Sequence, residues 1–370
     1  MTTLTAISLF SGMGGDTLGI TQAGVKVVAF CEFDAAATQS HLLNFPESTL
    51  IEDLRHKKKS DRTNITLIQD SVFENYKDKI DLIFAGHPCQ GFSNGGKKLP
   101  EDPRNTLFRE FARVVKLVSP NYIIGENVDG LLTRKTSDGE FFIDVIKKEF
   151  EALGYLICYK VINMVGYGVP QLRKRLVYVG IRSDLNKQFT FPVPLNNGKT
   201  NLPNLVGIVK FNMTGAIKIL PEDFDMTTLP CDCIVTDLNN DEDEIAGTIH
   251  PYLHLKTKTR NTEYKGKVWS SLLSFGKRDS PIHSEIINLL KPCKTIICAY
   301  DHQPRLYVPL RNKRGYFLRC LLPEELKQIQ GFPHEFQVYG TKKEQVKQIG
   351  NAVPPPVITH IVKELLDVCS

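Results

Sequence analysis

The sequence predicts an α/β fold: an open, mostly parallel sheet with helices on its faces, joined to a smaller, mostly irregular or β region. Three observations predict it. Short apolar runs alternate with helical periodicity as far as residue 182, each run ends in a polar or glycine cluster, and the alternation stops near residue 183.

TAISLF (5–10) is an apolar run followed at once by glycines, and VKVVAFCE (25–32) is a second that ends in a carboxylate. KIDLIFAG (79–86) and NYIIGENV (121–128) are two more, and YKVINMV (159–165) with RLVYVGIR (175–182) forms a closing pair. Such runs are the signature of strands buried on both faces. RNTLFREFARVVKLV (104–118) carries Leu107, Phe111, Val114, Val115 and Val118 at helical spacing, and FFIDVIKKEFEAL (141–153) repeats the pattern. In sheets of this kind ligands bind at the carboxyl ends of the strands, where the polar clusters lie.

Past residue 183 the chain crowds Pro192, Pro194, Asn196, Asn197, Gly198, Pro203 and Gly207 into one stretch, which reads as a linker. Helical periodicity returns only at PEELKQIQGF (323–332) and PPPVITHIVKELLDV (354–368). The expected organisation is 1–182, 183–318 and a return of 319–370 to the first domain.

The overall charge, +5, is modest, but it is unevenly spread. Residues 183–250 hold four Lys/Arg against ten Asp/Glu, and residues 251–319 hold fourteen against four. The basic stretch also carries Tyr252, His254, Tyr264, Trp269, Tyr300, His302, Tyr307 and Tyr316. It fits either a solvated face or a surface for phosphates and bases. Nine scattered cysteines suggest reduced thiols in the cytoplasm. Cys231/Cys233 and Cys293/Cys298 lack the spacing of a second metal-binding half, so no zinc is expected. The N-terminus lacks the pattern of a signal peptide, and no apolar stretch is long enough to span a membrane.

Three local patterns carry possible chemistry. FSGMGG (10–15) is a glycine turn able to bring backbone close to a ligand, though such turns also close α/β units for steric reasons. Glu32 ends the next strand, where a carboxylate accepts ribose hydroxyls. Phe10 and Phe33 fit either an adenine contact or the core. In GHPCQGFS (86–93), Cys89 lies in a Gly-rich loop directly after a strand, which fits either an inert thiol or a nucleophile.

Taken together, PCQGFS (88–93) and ENV (126–128) resemble the DNA cytosine-5 methyltransferase family. The family's other blocks follow in order: FSGMGG, DPRNTLF (102–108), QLRKR (171–175), RCLLPEELKQIQGFP (319–333) and QIGNAVPPP (348–356). The stretch between the last strand and residue 319 is where that family keeps its target recognition domain. The resemblance implies an S-adenosylmethionine-dependent, Rossmann-like methyltransferase sheet, with a mostly irregular or β recognition domain. It implies that Cys89 attacks carbon 6 of a flipped-out cytosine, and that Glu126 contacts the ring nitrogen and amino group. Arg173 would hold the carbonyl oxygen of the base, and Arg175 the loop or a phosphate. Asn127 would share Glu126's role or order the loop. For S-adenosyl-L-methionine it implies Phe10, Ser11, Gly12, Gly14, Gly15, Glu32, Phe33, Pro88, Leu107, Asn351, Ala352 and Val353. The adenine amino group would meet Asn64, with Asp53 as the alternative.

Gln90, Ser93, Thr295, Arg305, Arg311 and Arg314 are the candidates for DNA, with Lys313 beside them. His87, where the family has Pro or Phe, either packs in its loop or tunes Cys89. Glu324 departs from a usual Arg, while Arg319, Pro323 and Glu325 fit. The implied enzyme is a monomeric restriction-modification methylase on double-stranded DNA, working alongside a restriction endonuclease. A tRNA methyltransferase on the same scaffold is disfavoured because PCQGFS continues past the Gln and no C-F-T string occurs. A catalytically silent DNA-binding protein would not need Cys89, Glu126 and Arg173 together. A nicotinamide oxidoreductase would leave Cys89 and the QIGNAVPPP block unexplained.

Overall fold

The structure, a computed structural model, describes residues 3–88, 107–196, 200–209, 213–219, 253–255, 261–264, 267–270, 273–275, 285–301, 305–312 and 314–369. The first part runs β1 (Thr5–Leu9), α1 (Gly15–Gln22), β2 (Lys26–Cys31), α2 (Ala35–Asn44), β3 (Thr49–Leu50), α3 (Lys59–Arg62), α4 (Asp70–Glu74) and β4 (Leu82–Ala85). It continues through α5 (Phe108–Val118), β5 (Tyr122–Val128), α6 (Phe142–Ala152), β6 (Tyr155–Asn163), β7 (Gln171–Leu172) and β8 (Lys174–Arg182). The main sheet has the order β3-β2-β1-β4-β5-β8-β6. Its first five strands are parallel, and β8 joins antiparallel to both β5 and β6. The order steps outward from β1 in both directions, so the β1 and β4 carboxyl ends flank a switch point.

Side chains on successive strand residues leave the sheet on opposite faces, which explains the unbroken apolar runs. Ile7, Leu9, Ile83, Ala85, Ile123, Leu176 and Tyr178 join α5 and α6 in one core. Ala6, Leu82, Phe84, Ile124, Val177 and Val179 join the C-terminal helix in another, through Val357, Ile358, Ile361 and Leu365.

The remaining elements are β9 (Ile217–Ile219), β10 (Leu253–Leu255), β11 (Asn261–Tyr264), β12 (Lys267–Ser270), β13 (Leu273–Phe275), β14 (Glu285–Ile286) and β15 (Cys293–Lys294). They end with β16 (Leu306–Asn312), β17 (Gly315–Cys320), α7 (Pro323–Ile329), α8 (Lys342–Asn351) and α9 (Pro355–Cys369). A small sheet, β14-β16-β17-β9, packs on α7 and α8 through Leu306, Val308, Phe317, Leu326, Val346 and Ile349. β15 pairs in parallel with β7 in a separate two-stranded sheet, which ties this region to the segment that leads into β8. The boundary expected at 318/319 falls inside β17. No helix among the described residues is long and apolar enough to cross a membrane.

Candidate active site

The β1–α1 turn needs unusual backbone. Phe10, Gly12 and Gly14 have φ of 56°, 54° and 94°, and a Cβ on Gly14 would stand 2.7 Å from the Phe45 ring. A Cβ on Gly15 would stand 2.2 Å from the Val353 carbonyl oxygen, so the turn closes directly on the C-terminal segment. At the end of β2, the Glu32 carboxylate accepts from Gly12 N and Asp34 N, both at 2.8 Å. Burial pushes the Glu32 carboxyl up, and those two backbone bonds oppose the rise. The Ser11 hydroxyl is buried beside it without a partner among the described residues. Phe33 is 64% exposed and Leu54 is 68% exposed, at the ends of the adjacent strands β2 and β3. Asn351 is exposed at the end of α8, Ala352 is buried, and Val353 is half-buried.

Asn64 and Asp53, the two candidates for the adenine amino group, are placed differently. Its amide oxygen is turned into its own loop, where it accepts from Thr66 N and Thr66 Oγ1 at 3.2 and 2.9 Å. Asp53 is buried just after β3 and accepts from Arg55 Nε and Nη2 at 2.8 and 2.6 Å. The Arg55 guanidinium holds its carboxyl well below the usual carboxylate range. Asp53 is therefore the residue at a strand end, with its charge already fixed.

Beneath the glycine turn lies a carboxyl that sequence reasoning passed over. Asp16, in the first turn of α1, is buried and accepts from Ser8 Oγ. Burial pushes it up to about 7, chiefly by desolvation and against the Ser8 bond. Its ordinary value is 3.8, so the folded state holds a proton that the unfolded state releases between pH 3.8 and about 7. Stability therefore falls as pH rises through that window, by up to about 4 kcal/mol, and is level above it. Asp16→Asn should remove this slope. Urea unfolding should show the variant gaining on wild type from pH 5 to pH 8, whereas parallel curves would show that Asp16 is not protonated in the fold.

At the end of β4, His87 is buried and held from two sides. Asn127 Nδ2 donates to His87 O and approaches His87 Nδ1, both at 3.1 Å, and His87 Nε2 lies 2.9 Å from the Tyr178 hydroxyl. Gly125 leaves room for that tyrosine, since a Cβ there would lie 1.9 Å from Tyr178 Cζ. Burial pushes the His87 imidazole down to about 3, so it is neutral at physiological pH. His87 thus packs its loop, with Asn127 ordering it. Pro88 follows, half-buried; Cys89, Gln90 and Ser93 lie outside the described residues. Leu107 is half-buried at the start of α5.

Glu126 stands near the end of β5, 8% exposed. Its Oε1 has no hydrogen-bond partner among the described residues but faces Arg175 Nε at 3.0 Å. The two arginines are placed differently. Arg173 is 2% exposed, and its two terminal nitrogens bind main chain: Nη1 donates to Ile296 O at 3.2 Å, and Nη2 to Gly350 O and Ala352 O, both at 3.3 Å, while Nε has no hydrogen-bond partner among the described residues. Arg175 is the arginine beside the Glu126 carboxylate.

Thr295 follows β15 and donates its hydroxyl to Leu172 O at 2.9 Å. Arg305 is half-buried before β16, Arg311 lies on β16, and Arg314 is exposed in the turn to β17. No group of three or more His, Cys, Asp or Glu among the described residues is arranged to hold a metal. Gln171 and Gln330, both fully buried, also join the site's scaffold; QLRKR contains the first, but nothing local marks the second.

A doubly wound sheet with a glycine turn, a strand-end carboxylate and a Glu–Arg pair at the end of β5 is the architecture in which α/β enzymes hold ligands at strand ends. The family of C-5 cytosine-specific DNA methylases matches residues 4–367, and the chain belongs to it. The protein is a DNA cytosine methyltransferase. It is similar to the Type II methyltransferase M1.HphI of Haemophilus parahaemolyticus, 31% identical over 98% of this chain and 87% of that one. It is 28% identical to M.NgoMIV of Neisseria gonorrhoeae, over 98% and 97% of the two chains. A DNMT2 variant from Spodoptera frugiperda shares the fold, with a TM-score of 0.64 at 18% identity over 98% of this chain and all of that one.

Proposed function

We propose that this enzyme transfers the methyl group of S-adenosyl-L-methionine to carbon 5 of a cytosine flipped out of double-stranded DNA, through a covalent adduct with Cys89. We assign it the modification role of a restriction-modification system, as the names of its relatives suggest. The observation that carries the reading is the Glu126–Arg175 pair: a buried carboxylate oxygen with its hydrogen-bonding capacity unspent, beside the strand-end turn that leads into Cys89.

The residues fit the cofactor. Glu32 retains lone pairs for a ribose diol, Phe33 and Leu54 offer exposed apolar faces for an adenine, and the orphaned Ser11 hydroxyl and the Gly12–Gly15 turn suit the amino-acid end. Phe10, Pro88, Leu107, Asn351, Ala352 and Val353 would close round it. When bound, S-adenosyl-L-methionine supplies an electrophilic methyl group.

Cytosine carbon 5 is too weak a nucleophile to take that methyl unaided. The Cys89 thiolate adds to carbon 6, and the ring's electron pair moves toward carbon 5. Glu126 hydrogen-bonds the N3 and amino edge, which selects cytosine and favours a proton at N3. Arg175 holds the carbonyl oxygen, and the two groups stabilise the charge that the attack drives onto the ring. Carbon 5 would take the methyl group, with the broken C–S bonding pair left on the departing S-adenosylhomocysteine. A base then removes the carbon-5 proton, and the returning electron pair expels the Cys89 thiolate. The target base must leave the duplex to reach this site.

Residues 183–318 supply recognition in this reading, with Arg305, Arg311, Arg314 and Thr295 toward the DNA and Gln90 and Ser93 toward the displaced strand. Duplex affinity should fall steeply with salt, roughly 10³-fold or more between 50 and 200 mM if six or more phosphates are contacted. A flat response in a filter-binding titration would remove the basic stretch as the DNA contact. The function itself is tested with methyl-labelled S-adenosyl-L-methionine and unmethylated duplex DNA. Label recovered as 5-methylcytosine supports it; label on an exocyclic nitrogen, or in tRNA and not in DNA, contradicts it.

A further inference from the structure

Two segments far apart in sequence meet over Gln171 and Arg173. One is 293–298, β15 and the residues after it, within the region assigned to recognition. The other is 349–352, where α8 ends beside the cofactor turn. Ile296 is held at both its peptide groups: its N–H donates to Gln171 Oε1 at 2.8 Å, and its carbonyl accepts from Arg173 at 3.2 Å. Gln171 Nε2 donates to Gln330 Oε1 at 3.0 Å, and Gln330 Nε2 donates to Ile349 O at 2.7 Å. Arg173 closes the circuit on Gly350 O and Ala352 O. The two glutamines are fully buried and Arg173 nearly so. The chains also touch directly: a Cβ on Gly350 would lie 2.4 Å from Cys298 N.

A buried polar network of this kind has few intermediate arrangements. Shifting either segment alone strands a guanidinium or an amide without partners in a low-dielectric interior, and each such group is costly. A segment that cannot move alone passes its ordering to the segment it is bonded to.

We propose that Gln171, Arg173 and Gln330 form a relay that couples cofactor binding at 349–353 to the ordering of 293–298, so that the loaded enzyme presents a preorganised recognition segment to DNA. The three are positioning residues, acting through the segments they hold. The inference rests on the cofactor reading given above.

Hydrogen exchange read by mass spectrometry tests it, with S-adenosylhomocysteine as the probe. In wild type the probe should slow exchange at 10–16 and at 349–354, and also at 293–298, there by about fivefold or more. Gln330→Met keeps the volume and removes both amide bonds. It should retain the protection at 10–16 and lose that at 293–298. Gln171→Met, which removes the bond to the Ile296 N–H at the other end of the circuit, should do the same by a different route. Protection at 10–16 in wild type without any change at 293–298 overturns the relay and leaves the cofactor reading intact. Transmission undiminished in the variants also overturns it. No protection anywhere overturns the cofactor reading and the relay with it.

Discussion

Cys89→Ser should lower methyl transfer roughly 10⁴-fold or more, as loss of a covalent nucleophile does elsewhere, while duplex binding stays within about twofold. A thiol ionises near neutrality and its thiolate is polarisable, whereas a serine hydroxyl stays protonated without a strong base. The Asn127–His87–Tyr178 contacts hold the turn before Cys89, so the substitution should leave the turn in place. The basic stretch at 251–319 is equally untouched. Single-turnover kinetics with labelled donor, beside a binding titration, separates the two effects. Equal activity in the variant would mean that the adduct is not formed at Cys89.

The second large effect is on stability. Arg319 and Glu325 are both fully buried and pair through two hydrogen bonds, Nη1 to Oε2 at 2.9 Å and Nη2 to Oε1 at 2.7 Å. Glu325 also accepts from Leu322 N at 2.8 Å, at the start of α7. Glu325→Ala leaves the guanidinium charged and buried, and should cost about 3–5 kcal/mol. The double variant Arg319→Met with Glu325→Leu should recover much of that loss, because it removes both charges and keeps the volume. Urea unfolding midpoints decide it. A loss below about 1 kcal/mol in the single variant would show that water reaches the pair.

The main sheet was legible because β1, β2, β4, β5 and β8 are buried on both faces, and their sequences are continuous apolar runs. Five helices were not, and of these α3 and α4 have only four and five residues. α1 carries two glycines and α2 begins on three alanines. α8 is polar, and only Val346 and Ile349 among its apolar side chains are buried. β3 has two residues, too few for any period to show. Within 253–286 the strands are two to four residues long and are defined by their partners.

The candidate site divides in the same way. The strand-end positions of Glu32 and Glu126 follow from pattern. The division of labour between Arg173 and Arg175 does not. Two residues apart on a regular strand they would share a face. The strand is broken at Arg173, between β7 and β8, and its guanidinium turns to carbonyls more than a hundred residues away. The different placements of Asp53 and Asn64 likewise depend on which loop follows β3, and the two-residue strand hides that in the sequence. Gln330 becomes meaningful only once the fold sets it against Gln171.

The central claim is methyl transfer to cytosine carbon 5 through Cys89, and bisulfite sequencing of DNA from cells expressing this chain tests it most directly. Cytosines within one short sequence context should resist conversion in wild type and convert fully with Cys89→Ser. Full conversion everywhere in wild type, or resistance that survives the substitution, would contradict it.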